Sequence, residues 1–503
     1  MYNKYHDHNM FWIRKFLRSP ANLSSGLIIC VSLYIIAPSL SALVFGNFEQ
    51  RNWRYTTVGL INRGNDCFIT SALQALAGIP RFVEYLNGIK SILQELNNPE
   101  LKSFSISTRE NPTVDNIAND SRLENFSDLS TPLHESLMRL IADLVSVRES
   151  KMTISPKIVV NALESIFKSK MSSKQNDAHE FTVILLQTLQ EEHSRLVKHT
   201  KHMLNVDVPN FPFEGETSKF LVCVQCNGLS KISHQKTFIR ELSVPQKSSE
   251  NLLDILSNDE TEIIEDYSCL ICRARAILAH EQYRNFKDCA PDELLILDAL
   301  KDYATEASIN EDLPLEVDQY INHYTKDKFC ISNVKGKVIK RDIAVKLPKV
   351  LVIHLSRSTF NGVTYSRNPC NVKFQEEIKL TEYTSIENMK LTENRQIVYN
   401  LKSVVKHTGS HSRGHYMCYR RKGDILFDKE GESFVDGRSI ITNRNRNENI
   451  TNNHGKRRYK RVKSASQYPY WQISDGAIKQ KATSTVLNEQ KYAYMLYYER
   501  VNK

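Results

Sequence analysis

One short run does most to limit what this chain can fold into: Gly59-Leu60-Ile61-Asn62-Arg63-Gly64-Asn65-Asp66-Cys67-Phe68-Ile69-Thr70-Ser71-Ala72-Leu73-Gln74-Ala75-Leu76. Gly64 and Asn65 are turn formers. After Cys67 the pattern predicts a helix with Phe68, Ala72 and Leu76 on one face, closed by Gly78 and Pro80. The Cys67 thiol then sits at a helix N-terminus, where the dipole favours thiolate, the nucleophilic form. Asn62 lies five residues upstream, where a folded-back turn aims its amide at an oxyanion. The competing reading is a buried structural cysteine, which leaves the turn, the helix start and the amide to coincidence.

A cysteine nucleophile needs a base, usually distant in sequence. Tyr399 to His407 alternates like a strand, Thr408-Gly409-Ser410-His411-Ser412-Arg413-Gly414 reads as a turn, and His415-Tyr416-Met417-Cys418-Tyr419 opens another strand. His415 is thereby placed at the mouth of a hairpin, where an imidazole can face a cleft. The chain has 15 histidines, so His415 stands out by its neighbours rather than by its type.

These two runs resemble the cysteine and histidine boxes of the ubiquitin-specific proteases. Three further blocks follow the family's order: Gln175-Asn176-Asp177-Ala178-His179-Glu180-Phe181, Leu347 to Leu355, and Tyr492 to Tyr498. The likeness runs from about Val58 to Arg500. It implies an α+β, papain-like cysteine protease with a helical thumb, a β-rich palm and zinc-bearing fingers. It also implies that Cys67 attacks the carbonyl, that His415 moves the proton, and that Asn62 donates to the oxyanion. Asp66 departs from the family, which usually carries a neutral residue there. A carboxylate beside the thiol should raise its pKa against the dipole.

The third catalytic member is read from Tyr470-Trp471-Gln472-Ile473-Ser474-Asp475-Gly476-Ala477-Ile478. Counting forward from Trp471 points to Asp475, and counting back from Ile478 points to Ser474. In a strand, neighbours face opposite sides, so only one of them is expected to meet His415. Ser474 is favoured by the resemblance to the family's membrane-anchored mitochondrial members. The resemblance further implies that Asp177 and Glu180 line the channel for the ubiquitin C-terminal tail. The alternative for each is an acid stabilised at a helix start.

Two C-x2-C pairs, Cys223/Cys226 and Cys269/Cys272, each suit one side of a tetrahedral zinc, and four thiolates close such a site as structural. The competing reading is one redox pair plus chance. Cys30, Cys289, Cys330, Cys370 and Cys418 read as small hydrophobes. No organic cofactor is expected. Ten cysteines in 503 residues are too few for a disulfide framework.

The first residues are a different object. A basic segment over 1–25 precedes an expected transmembrane anchor over 26–46, because Leu27 to Phe45 holds no charged residue and is long enough to span a bilayer. A buried core helix is the alternative, kept open by Pro38. The catalytic domain is expected over 55–501, with inserts near 102–130 and 425–468. The stretch from Thr442 to Lys463, with Lys456-Arg457-Arg458-Tyr459-Lys460-Arg461, reads as a disordered loop, and no nucleic-acid partner is expected. The net charge of +10 suits an acidic partner, a membrane surface or simply a solvated surface.

The expected protein is a membrane-anchored enzyme that removes ubiquitin from proteins. Its partners are ubiquitin, ubiquitinated proteins and the bilayer. Reduced cysteines and ubiquitin chemistry place the catalytic part in the cytosol. Lys4, Arg14, Lys15 and Arg18 ahead of the anchor conflict with that orientation at the endoplasmic reticulum. They suit the mitochondrial outer membrane instead. Two rival readings are a ubiquitin-binding membrane scaffold with an impaired active site, and a protease for another ubiquitin-like modifier.

Overall fold

Residues 55–96, 130–168, 177–201, 206–287, 289–360, 362–387, 390–410, 413–428, 433–436 and 459–501 are described by the structure, a computed structural model. The anchor expected over 26–46, the segment before it, Gln175, Asn176 and nearly all of the 102–130 insert lie outside these residues. Among the described residues, no helix is long and apolar enough to cross a membrane. A small unit, described at residues 55–56 and 148–150, carries one antiparallel bridge between Thr56 and Arg148. The other unit holds everything that follows.

Helix α1 spans Cys67–Ala77, rich in alanine and leucine, which favour helix, and Gly78 caps its end. The predicted one-sided face is too narrow. All eleven residues of α1 are buried, the pattern of a helix inside a core. Around it pack α2 (Pro80–Leu96), α3 (Pro132–Leu144), α4 (Lys157–Phe167) and α5 (Ala178–Thr200). A buried carboxylate fastens this lobe. Glu192 of α5 accepts the N–H groups of Leu133 and His134, both at 3.0 Å, and meets His134 Nδ1 at 2.6 Å. A charge without such donors would be costly there, and the start of α3 is where the dipole welcomes it.

The strands that position the site are β1 (Val58–Leu60), β2 (Met152–Ile154), β3 (Gly215–Cys223), β4 (Ser233–Thr237), β5 (Arg240–Ser243), β6 (Thr261–Tyr267) and β7 (Gly336–Lys346). They continue with β8 (Val350–Ser356), β9 (Glu377–Glu387), β10 (Lys390–Gly409), β11 (Gly414–Arg421), β12 (Tyr470–Ser474), β13 (Ala477–Lys481) and β14 (Ala493–Arg500). Among the described residues, eight form the main sheet in the order β13-β12-β11-β10-β14-β8-β5, with β9 on β10. It is buried on both faces. Val350 and Val352 of β8 join the core with α1, while Leu351, Ile353 and Leu355 join the opposite core. That is the alternation a strand dictates. Arg420 of β11, itself buried, ties sheet to helices by donating to Gln74, Thr57 and the Leu144 carbonyl.

Strands β4-β3-β7-β6 make a second, antiparallel sheet. Beyond it, α6 (Leu270–Tyr283), α7 (Pro291–Thr305) and α8 (Leu315–His323) build their own small core from Leu270, Ala274, Ile277, Leu297, Leu300 and Ile321. The insert near 425–468 is partly ordered pairing, not only loop. Ile425–Asp428 pairs with both Ser433–Asp436 and Tyr459–Arg461. The expected loop over 442–463 is therefore corrected at Tyr459–Arg461, whose strand pairing satisfies backbone groups that a loop would leave to water.

Candidate active site

Cys67 is the first residue of α1 and only 3% exposed. Burial pushes its thiol above the ordinary value. The backbone N–H of Tyr416 opposes this, Asp475 adds to it, and the N–H groups of Cys67 and Phe68 oppose it again. The helix-start effect expected from sequence is present in those last two donors, but desolvation outweighs it. The carboxylate with the stronger hold on the sulfur is Asp475, not the adjacent Asp66. Asp66 ends the turn into α1 without a side-chain cap bond.

His415 stands on β11, opposite Thr408 of β10, at the mouth of their hairpin. Its Nε2 lies 2.8 Å from Ser474 Oγ and 3.9 Å from Asp475 Oδ2. With Nε2 engaged, Nδ1 is the ring nitrogen left for a proton exchange with the thiol. Helix α1 packs against this strand, which puts Cys67 beside it.

Strand alternation makes Ser474 and Asp475 exclusive alternatives for meeting His415, and that premise fails here. β12 ends at Ser474, which pairs with Ala477 across a two-residue Asp475-Gly476 turn. Asp475 has φ +52°, a conformation that Asp-Gly hairpin turns favour. Out of the pleat, its side chain reaches the same site as Ser474. Asp475 Oδ2 accepts from Asn62 Nδ2 at 3.2 Å, and Oδ1 accepts from Thr70 Oγ1 at 2.7 Å. Leu60 N donates to its carbonyl at 3.1 Å.

Asn62 is held from both ends. Its Oδ1 accepts the N–H groups of Gly64 at 2.9 Å and Asp66 at 3.1 Å, which shapes the turn before Cys67. One amide hydrogen is given to Asp475, which leaves the second for another acceptor. Thr70 was missed from sequence. Its place three residues after Cys67, on the same side of a helix, was the available signal.

Asp177 caps α5. Its Oδ1 accepts the His179 N–H at 2.6 Å, and its Oδ2 accepts the Tyr494 hydroxyl at 2.5 Å. Both carboxylate oxygens thus have structural partners, while the residue also lines a cleft with Arg357, Arg367, His407, Tyr416 and Tyr494. Glu180, one turn on, is exposed.

The four cysteines of the two C-x2-C pairs come together at the end of the second sheet. Cys223 ends β3, and Cys269 and Cys272 flank the start of α6. Cys223 and Cys272 sulfurs are 3.7 Å apart, and those of Cys226 and Cys269 are 3.6 Å apart. A tetrahedron of Zn–S bonds has edges of about 3.8 Å, so the donor set and its spacing fit a zinc ion.

The family model for ubiquitin carboxyl-terminal hydrolase matches residues 58–498. The chain is 65% identical over 502 residues to ubiquitin carboxyl-terminal hydrolase 16 of Saccharomyces cerevisiae, covering 98% of this chain and 100% of that protein. A protein named ubiquitin carboxyl-terminal hydrolase 16 in Emericella nidulans is 25% identical, over 77% of this chain and 65% of its own length. Among solved structures, a chain of the SAGA Ubp8/Sgf11/Sus1/Sgf73 DUB module bound to ubiquitin aldehyde shares the fold, with a TM-score of 0.50 at 15% identity, covering 93% of this chain and 76% of that one.

Proposed function

This chain belongs to the ubiquitin carboxyl-terminal hydrolase family of deubiquitinating cysteine proteases, and we propose that Cys67 and His415 hydrolyse the isopeptide or peptide bond at the C-terminal glycine of ubiquitin. The observation that carries this is the bond between His415 Nε2 and Ser474 Oγ, 2.8 Å long, beside a turn whose Asp475 is tied to Asn62 and to Thr70 of the Cys67 helix. Ser474 orients the imidazole. Nδ1 takes the thiol proton as sulfur attacks the carbonyl carbon, and returns it to the departing amine. Water then cleaves the thioester, with His415 as base. Asn62, steadied by Asp475, offers its remaining amide hydrogen to the oxyanion. Asp177 and Glu180 face the basic ubiquitin tail along the adjoining cleft.

The raised Cys67 thiol favours one rival, a ubiquitin-binding scaffold with an impaired site. Turnover of a ubiquitin C-terminal fluorogenic amide separates the two. Hydrolysis by the wild type, lost in Cys67→Ser and His415→Ala, supports the protease. Equal residual rates in all three would overturn the assignment as a ubiquitin protease.

Two further parts of the reading rest on sequence and donor geometry. Cys223, Cys226, Cys269 and Cys272 would hold a structural zinc that ties β3 to α6 and contributes to folding. The charge-free run from Leu27 to Phe45 would anchor the protein in the mitochondrial outer membrane with the catalytic domain in the cytosol. Protease added to intact mitochondria should then degrade the catalytic domain while matrix proteins survive. A protected domain would overturn that placement.

A further inference from the structure

Away from Cys67, two imidazoles and a carboxylate converge where α5 meets the edge of the main sheet. His354 of β8 and Glu241 of β5 are direct partners in the parallel pairing of those strands. His179 comes from the first turn of α5. One ligand atom from each lies within 4.8 Å of the others. His354 is 7% exposed, and neither of its ring nitrogens has a hydrogen-bond partner. His179 Nε2 is 3.1 Å from Glu241 Oε1 but too poorly aligned to count as bonded.

Such an arrangement is hard to explain as packing. Buried imidazoles nearly always satisfy at least one nitrogen, because an unpaired polar group out of water is costly. Here three imidazole nitrogens lack proper partners at one spot, next to a carboxylate. An apolar ring would fill the same space at no such cost. Each neutral ring has one lone-pair nitrogen, and these lone pairs and the carboxylate share a need for an electron-pair acceptor.

We propose that His179, Glu241 and His354 form a zinc-class metal site distinct from the four-cysteine cluster. Two neutral imidazoles and one carboxylate are a familiar three-ligand zinc set, with the fourth tetrahedral position open to water. A neutral imidazole is the ligating form. The dipole at the start of α5 disfavours a cation, but the full charge of Glu241 exceeds that partial charge. Entry is from the Glu241 side, whose side chain is 63% exposed.

Binding requires one local movement. The His179 and His354 rings are stacked 3.8 Å apart at 11°, and an imidazole lone pair lies in its ring plane. A shared ion therefore needs one ring to turn. His179, the less buried of the two, is that ring. One stacking contact is small beside three metal–ligand bonds. His354 also packs against Tyr494, whose hydroxyl donates to Asp177 in the cleft wall.

The test is zinc content of the full-length protein in detergent, after equilibrium dialysis against micromolar free zinc. His179→Ala and Glu241→Gln alter half-buried or exposed side chains, and circular dichroism checks that both fold. Each variant should bind one zinc fewer than the wild type. Cobalt(II) added to protein whose cysteines already hold zinc should give visible bands without thiolate-to-metal charge transfer, and both variants should lose them. Equal zinc in all three proteins, or loss in only one variant, would overturn the three-ligand site.

Discussion

Thr70 Oγ1 donates to Asp475 Oδ1 at 2.7 Å, joining the nucleophile's own helix to the turn that presents Ser474. The bond spans 405 residues of sequence. It means that Asp475 has a site of its own between Asn62 and Thr70, and that Ser474 is left to meet His415. Ser474→Ala should lower kcat by about 10–100-fold, a part of what general base catalysis contributes. Asp475→Asn retains a residue that tolerates the +52° turn and should lose less. Steady-state kinetics with a ubiquitin amide checks the order, and the reverse order would move the orienting role to Asp475.

Thiol chemistry gives a second prediction with a definite sign. Asp475 is one of the causes that raise the Cys67 pKa. Neutralising it should lower that pKa, so the rate–pH curve for alkylation of Cys67 should move to lower pH in Asp475→Asn, with faster reaction near neutrality. Asp66→Thr should move the curve less. A larger shift in Asp66→Thr would show that the adjacent carboxylate turns toward the sulfur in solution.

Backbone contact yields a third. A Cβ on Gly59 would lie 2.8 Å from Gly476 Cα and 2.9 Å from the Asp475 carbonyl. Both are backbone atoms of one turn and cannot move aside cheaply. Gly59→Ala should cost about 1–3 kcal/mol of stability. It should also reduce kcat, because the displaced turn carries Ser474. Denaturation and kinetics on one sample read both, and wild-type values for both would contradict the close approach.

Metal removal supplies the fourth. Cys226→Ser should lose the tightly held zinc and lower the Tm by roughly 5–10 °C, since a structural site contributes folding energy. Cys289→Ser, outside the cluster, should retain the metal. Elemental analysis with thermal denaturation distinguishes them.

Residues whose chemistry depends on local spacing were legible in the sequence. Cys67 at a helix start, His415 at a hairpin mouth and two C-x2-C pairs all follow from turn and period signals. What depends on tertiary neighbours was not. Nothing local says that α1 is buried all round, or that desolvation outweighs its dipole at Cys67. Alternation excluded one of Ser474 and Asp475 because the Asp475-Gly476 turn was read as strand. Helices α6 to α8 were missed because their weak, mixed periodicity resembles loop until their shared core is seen. The His179–His354 stack joins residues 175 positions apart and carries no motif at all.

The central claim, that Cys67 is the nucleophile and His415 its base on a ubiquitin-derived carbonyl, is tested most directly by a ubiquitin probe bearing a C-terminal electrophile. Intact mass and peptide mapping read where it attaches. One ubiquitin should attach to Cys67, none in Cys67→Ser, and attachment should be much slower in His415→Ala. A wild-type protein that hydrolyses ubiquitin conjugates yet is labelled at another cysteine, or not at all, would contradict it.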